Sequence, residues 1–192
     1  VKNKSREVTF NWVSEMGVVV EKTYSFLPDS YLIGLDITVK NGSDRTIQDK
    51  LYVALNGAPP NQSRAYGFEG PSALIDKKLE EVKIKKIADK NTYSGNIKWI
   101  ALQDRYFMMS IVPDEIQEAD MILALKGNDR LEARYLNSDS AVPPGTQHTY
   151  RYSLFFGPKS MKILKAAGHD LGKALNFGWF DILAKPCVWL MN

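Results

Sequence analysis

Apolar and polar residues alternate along the first quarter of the chain. Val8-Thr9-Phe10-Asn11-Trp12-Val13 sets the pattern, and residues 17–26 and 31–40 repeat it. A period of two sends successive side chains to opposite faces, as in a half-buried strand. Leu27-Pro28-Asp29-Ser30 and Asn41-Gly42 separate these runs. Both are turn formers, because Pro presets φ and Asn or Gly accepts the left-handed region. The pattern predicts three strands in an antiparallel meander, with residues 50–55 continuing the same sheet.

Residues 56–72 are rich in Gly, Pro, Asn and Ser and predict a long surface loop. Residues 77–87 mix charges of both signs, and Val82 and Ile84 alternating with Lys83 and Lys85 predict a strand with one solvated face. Residues 96–103 and 106–113 read as two buried strands around a tight turn at Asp104-Arg105, the best core candidate in the chain. Residues 121–125, 130–136 and 147–156 extend the β pattern. After Gly157-Pro158, residues 159–167 are helix formers that stop at Gly168, and residues 170–175 give a weaker helical turn. The expected layout is a body of about ten strands over residues 1–158, followed by a helical segment over residues 159–192.

That segment ends in an aromatic run. At about 100° per residue, Trp179, Phe180, Ile182, Leu183, Pro186, Cys187, Trp189 and Leu190 share one broad arc, with Asp181 and Lys185 opposite. Two readings fit: a helix that caps its own core, or an amphipathic element in the plane of a membrane interface, where Trp is favoured. No run reaches the roughly 20 apolar residues of a membrane span. The final apolar run is compatible with a span that begins near Pro186 and is cut short.

Composition narrows the chemistry. The 192 residues suffice for one domain with a continuous core. A net charge of +3 is too small a basic excess for nucleic acid. Cys187 is the only cysteine, which excludes an internal disulfide and a cysteine-rich zinc site. His148 and His169, the only histidines, have no metal spacing, and His148 reads as a strand residue beside Tyr150 and Tyr152. No nucleophile elbow or phosphate loop is present, and Gly157-Pro158-Lys159-Ser160 reads as a strand-to-helix corner. Asp104, Asp114, Glu115, Glu118 and Asp120 are the carboxylates close enough in sequence to consider for acid/base work. No enzyme and no cofactor are expected.

Several phrases together resemble one family. They are Gly17-Val18-Val19-Val20-Glu21-Lys22-Thr23-Tyr24-Ser25-Phe26, Asp29-Ser30-Tyr31-Leu32-Ile33, Trp99-Ile100-Ala101-Leu102-Gln103-Asp104-Arg105-Tyr106-Phe107, Pro143-Pro144-Gly145, Phe155-Phe156-Gly157-Pro158-Lys159, and Phe177-Gly178-Trp179-Phe180 through Ala184-Lys185-Pro186. In this order and spacing they are similar to the large periplasmic domain of the YidC membrane protein insertases of bacteria.

The resemblance implies a mainly β, antiparallel β-supersandwich of galactose mutarotase-like fold, with a C-terminal helical segment leading to the second membrane span. It implies a periplasmic docking or scaffolding module of an inner-membrane insertase and chaperone that inserts proteins with or without the Sec translocon. The implied partners are the Sec translocon and its accessory proteins, nascent membrane proteins through a membrane domain absent from this chain, and lipid through the tail. Phe177, Trp179, Phe180, Ile182, Leu183, Lys185, Pro186 and Trp189 are the implied membrane-interface residues. The alternative is a carbohydrate- or peptide-binding module, with Trp12, Tyr66 and Phe68 as aromatics for stacking on sugars.

Overall fold

The computed structural model describes residues 6–60, 67–127, 129–138 and 141–175. Among them eleven strands form one curled antiparallel sheet. They are β1 (Arg6–Val13), β2 (Val18–Phe26), β3 (Leu32–Asn41), β4 (Tyr52–Gly57), β5 (Gly70–Ile75), β6 (Lys78–Glu81), β7 (Thr92–Gln103), β8 (Phe107–Pro113), β9 (Gln117–Lys126), β10 (Arg130–Leu136) and β11 (Gln147–Pro158). The main path runs β1-β2-β3-β11-β8-β7-β9-β10-β4, while β5 pairs with β7 and β6 with β5.

The first three strands form the expected meander, and β7 and β8 turn at Asp104-Arg105 as the pattern predicts. Asp104 makes that turn: its Oδ1 accepts from the Tyr106 and Phe107 amides at 2.6 and 2.7 Å. Residues 52–57 join the same sheet as expected, at its far edge, where they pair with β10. Two expectations are corrected. Residues 82–85 are not a strand: β6 ends at Glu81 and Ile84–Lys86 form a 3-10 turn, which lets Val82 and Ile87 enter the core. Gly70 and Pro71, expected in the loop, open the wholly buried β5.

A bulge in β7 divides the interior. Opposite β5, Leu74 faces Trp99 and Ile75 faces Ile97, so Lys98 is the extra residue. An inserted residue reverses which face the following side chains occupy. Ile97 therefore points into the main core with Ile100, Leu102, Ile111 and Leu123. Trp99 and Ala101 point to the other face, where Leu74, Met108, Val112 and Phe155 join them in a second apolar cluster.

That second face is covered by the C-terminal elements. A short helix α1 (Met161–Ala167) starts at Ser160, whose Oγ accepts from the Ile163 amide, and stops at Gly168 with φ 75°. A 3-10 turn, Leu171–Ala174, follows. Leu164 and Leu171 are 0% exposed, and with Ala174 they complete the second cluster. The bulged Lys98 adds an ion pair, its Nζ 2.9 Å from Asp170 Oδ2. His169 and Asp170 both hold positive φ in the link between the two helical elements. Among the described residues no helix is long and apolar enough to cross a membrane.

Candidate interaction surfaces

A polar cleft of about 320 Å³ opens where β8, β9, β10 and β11 converge. Alternation along β11 brings His148, Tyr150 and Tyr152 to one face. Tyr150 and Tyr152 enter the main core, and the His148 ring stands edge-on to Tyr150 at 4.4 Å. Asn137, just past β10, organises the floor. Its Nδ2 donates to the Leu51 carbonyl at 3.0 Å and to the Tyr152 hydroxyl at 2.5 Å. Its Oδ1 accepts from Gln117 Nε2 at 3.3 Å. Burial raises the Tyr152 phenol far above its ordinary value, against the opposing effect of the Asn137 hydrogen bond. The hydroxyl thus stays protonated at neutral pH. The floor offers neutral amide and phenol groups, and the rim carries Asp114, Glu115 and Arg151. Such a cleft can hydrogen-bond a polar ligand.

Of the candidate carboxylates, Asp114 and Glu115 share the rim of the cleft. Asp104 caps its own turn, and Asp120 accepts from Ser94 Oγ at 2.5 Å. Among the described residues no group of His, Cys, Asp or Glu is placed to hold a metal. His169 lies in the link after α1, apart from His148. Trp12 stands on β1 and Phe68 beside Gly70, and neither lines the cleft. Tyr66 lies outside the described residues.

A second constellation surrounds Lys159, immediately after β11. Its Nζ donates to the Phe68 carbonyl at 2.6 Å and to the Asp104 carbonyl at 3.4 Å, joining the approach to β5 to the β7–β8 turn. Burial pushes the Lys159 ammonium below its ordinary value and Glu81 above its own, while each charge opposes the other's shift. Gly157, just before it, has no room for a side chain: a Cβ there would lie 2.8 Å from the Phe155 ring and 2.9 Å from the Tyr31 ring. The Phe-Phe-Gly-Pro-Lys phrase is thus a packing device at the strand-to-helix corner.

A third surface is the outer edge of the sheet. Val8, Phe10 and Trp12 on β1 are 46, 59 and 60% exposed. They lie on the face that continues inward through Tyr24 and Leu35 to the main core. The eight membrane-interface residues expected from sequence, Phe177, Trp179, Phe180, Ile182, Leu183, Lys185, Pro186 and Trp189, all lie outside the described residues. Asn137, Gln117 and Lys98 had no motif to mark them, since their roles come from a strand end, a strand start and a bulge.

The curled antiparallel sheet has a galactose mutarotase-like β-supersandwich fold. A galactose mutarotase-related enzyme from Lactobacillus acidophilus superimposes with a TM-score of 0.54 at 12% identity, over 81% of this chain and 68% of that one. A putative aldose 1-epimerase from Klebsiella pneumoniae gives 0.54 at 12% identity over 91% and 55%. An alpha-galactosidase from Geobacillus stearothermophilus gives 0.58 at 8% identity over 86% and 26%. At these identities the likeness concerns the fold alone.

The particular membership comes from sequence. Residues 1–190 match the YidC periplasmic domain, and the chain belongs to that family. The membrane protein insertase YidC of Geobacter sulfurreducens is 30% identical over 96% of this chain, and that of Geotalea uraniireducens 32% over 97%. The chain spans 35 and 36% of the length of these two relatives. It is a periplasmic domain of the YidC family.

Proposed function

We propose that the domain is a docking and scaffolding module that fixes where the polypeptide leaves toward the membrane. The observation that carries this reading is the burial of Leu164, Leu171 and Ala174 against the outer face of the sheet. A body of residues 1–158 thereby holds the first part of the segment 159–192 in a set place. The family supplies the context in which that placement acts, the insertion and folding of membrane proteins with or without the Sec translocon.

In this reading residues 177–185, starting at Phe177, lie along the outer surface of the inner membrane, with Trp179, Phe180, Ile182 and Leu183 facing lipid and Asp181 facing water. Lys185 faces water, Pro186 opens the second span, and Trp189 follows within it. Proline suits the first turn of a helix, where its missing N–H costs no hydrogen bond. Clients are nascent membrane proteins, and the periplasmic partners are Sec accessory proteins that dock on the body.

The test uses the full-length insertase. Trp179→Glu and Leu183→Glu are expected to impair insertion of a dependent substrate, and Leu164→Asp to impair it by releasing the anchor. Wild-type insertion with unchanged membrane placement in all three variants would overturn the proposal. A pull-down from membranes with and without residues 170–192 separates partners that hold the body from those that hold the tail.

A second reading, carbohydrate or peptide binding, rests on the cleft of Asn137, Gln117, His148 and Tyr152, whose planar polar groups suit such ligands. Glycan-array binding that Asn137→Ala abolishes would favour it over docking alone.

A further inference from the structure

Among the described residues the edge of β1 lacks the devices that keep sheet edges solitary. Such edges are ordinarily guarded by proline, bulges, short length or lysine on the strand. β1 is 8 residues long, contains no proline, and pairs with β2 in unbroken register. Its only charges are Arg6 and Glu7, side by side at one end.

The direction of its free hydrogen-bonding groups follows from the hairpin. The Ser14 amide donates to the Val18 carbonyl at 2.8 Å, so Ser14 and Val18 form a hydrogen-bonded pair. Antiparallel ladders alternate hydrogen-bonded and non-hydrogen-bonded pairs. Trp12, Phe10 and Val8 therefore direct their backbone groups to β2, and Glu7, Thr9, Asn11 and Val13 direct theirs outward. The β2–β3 ladder agrees: Gly42 donates to the Gly17 carbonyl at 3.1 Å, which turns the odd-numbered residues of β2 toward β3 and the even-numbered ones toward β1.

We propose that two copies of this chain associate through antiparallel pairing of β1 with β1 about a twofold axis at Phe10. The strand is self-complementary in that register. Phe10 faces its own symmetry mate, Val8 faces Trp12, Thr9 faces Asn11 and Glu7 faces Val13. The outward backbone groups of Thr9 and Asn11, and of Glu7 and Val13, satisfy one another, and no like charges oppose. The register centred on Thr9 instead places Trp12 against Arg6, leaving one aromatic of the apolar face without an apolar partner. Pairing joins the two apolar faces into one continuous ladder. Two such strands bury on the order of 1,000 Å² in total, at the lower limit for specific association, so the dimer is a weak one. It does not depend on the docking function proposed above, since it concerns a different edge of the sheet.

Sedimentation velocity over a concentration series is expected to show a reversible monomer–dimer equilibrium. Phe10→Lys sets two like charges against each other at the axis, and Thr9→Pro removes an outward donor while leaving the backbone bonds to β2 in place, losing there only the exposed Thr9–Thr23 hydroxyl contact. Each should weaken association by about tenfold or more while the monomer still unfolds cooperatively, since within it they remove only the Thr9–Thr23 hydroxyl contact or the Phe10–Tyr24 edge contact. In a Cys187→Ser background, mild oxidation should link Phe10→Cys into a dimer in preference to Thr9→Cys, because a non-hydrogen-bonded pair brings its Cα atoms to about 4.5 Å. A chain that stays monomeric throughout overturns the proposal, including one whose β1 edge instead captures an extended apolar peptide. A dimer indifferent to Phe10→Lys, or one that crosslinks preferentially through Thr9→Cys, also overturns it.

Discussion

Leu164→Ala should release the C-terminal helix from the sandwich without unfolding the sandwich. Leu164 is 0% exposed and packs among Trp99, Met108, Phe155 and Leu171. The substitution removes three buried carbons, about 2.4 kcal/mol of transfer free energy at roughly 0.8 per methylene. The unfilled cavity brings the loss to about 3 kcal/mol, within the range of buried Leu→Ala changes. A helix of 7 residues cannot persist alone in water, so α1 is helical only while docked. Its undocking equilibrium should shift by about 150-fold.

Native-state hydrogen exchange reads this directly. Amides of residues 164–168 should exchange about two orders of magnitude faster at neutral pH, while protection at Ile111 and Leu123 in the main core stays as in the parent. Leu102→Ala, which opens the main core instead, should lower the melting temperature and speed all protected amides together. Unchanged exchange at residues 164–168 in Leu164→Ala would refute the reasoning. So would a parallel rise at Ile111, because the helix and the sheet would then open as one unit.

Gly157→Ala should cost about 1–3 kcal/mol in thermal or denaturant unfolding, because the new Cβ meets the buried Phe155 ring. Adding Tyr31→Ala should restore part of that loss by vacating the other contact. Glu132 accepts hydrogen bonds from Lys126 and Arg134, with Lys126 the larger influence, and together they hold its carboxyl below the ordinary value of 4.5. The folded value is depressed, so Glu132 stabilises the fold above pH 4.5 and loses that effect as pH falls through the folded value. The melting-temperature gap between the parent and Glu132→Gln should therefore be present at neutral pH and shrink on acidification past that point. Asn137→Ala takes the amide donor from the buried Tyr152 hydroxyl, while the residue-137 backbone N–H still serves the Leu51 carbonyl at 3.1 Å, and should cost about 1–3 kcal/mol in denaturant unfolding.

The strands carrying strict alternation, β1 to β3, were legible because their period and their turn residues agree. The β7–β8 hairpin was legible as well, since a continuous apolar run interrupted by Asp-Arg leaves few other solutions. β5 was obscured by Gly70 and Pro71, which locally signal a loop. Tertiary pairing on both sides overrides that signal, and the positive φ of Gly70 is one the loop-like residue permits. The pairing of β4 with β10 could not be seen because periodicity reports faces and not neighbours. The bulge at Lys98 was equally hidden, yet it decides that Trp99 lies under the helix and not in the main core. The cleft shares this origin: Asn137 and Gln117 are ordinary polar residues until β10 and β9 bring them beside Tyr152.

The place of β11 in the sheet has a consequence for timing. Its residues pair with β3 on one side and β8 on the other, joining Thr38 to Thr149 across 111 positions of sequence. A chain delivered across a membrane from its N-terminal end can form the β1–β3 meander early, but that meander keeps a bare inner edge until residues 147–158 have crossed. Contacts so distant in sequence close slowly, because a long loop must be ordered before they form. Completion of the fold thus coincides with near-complete export of the domain, and the helix that follows finds its binding face only at that moment.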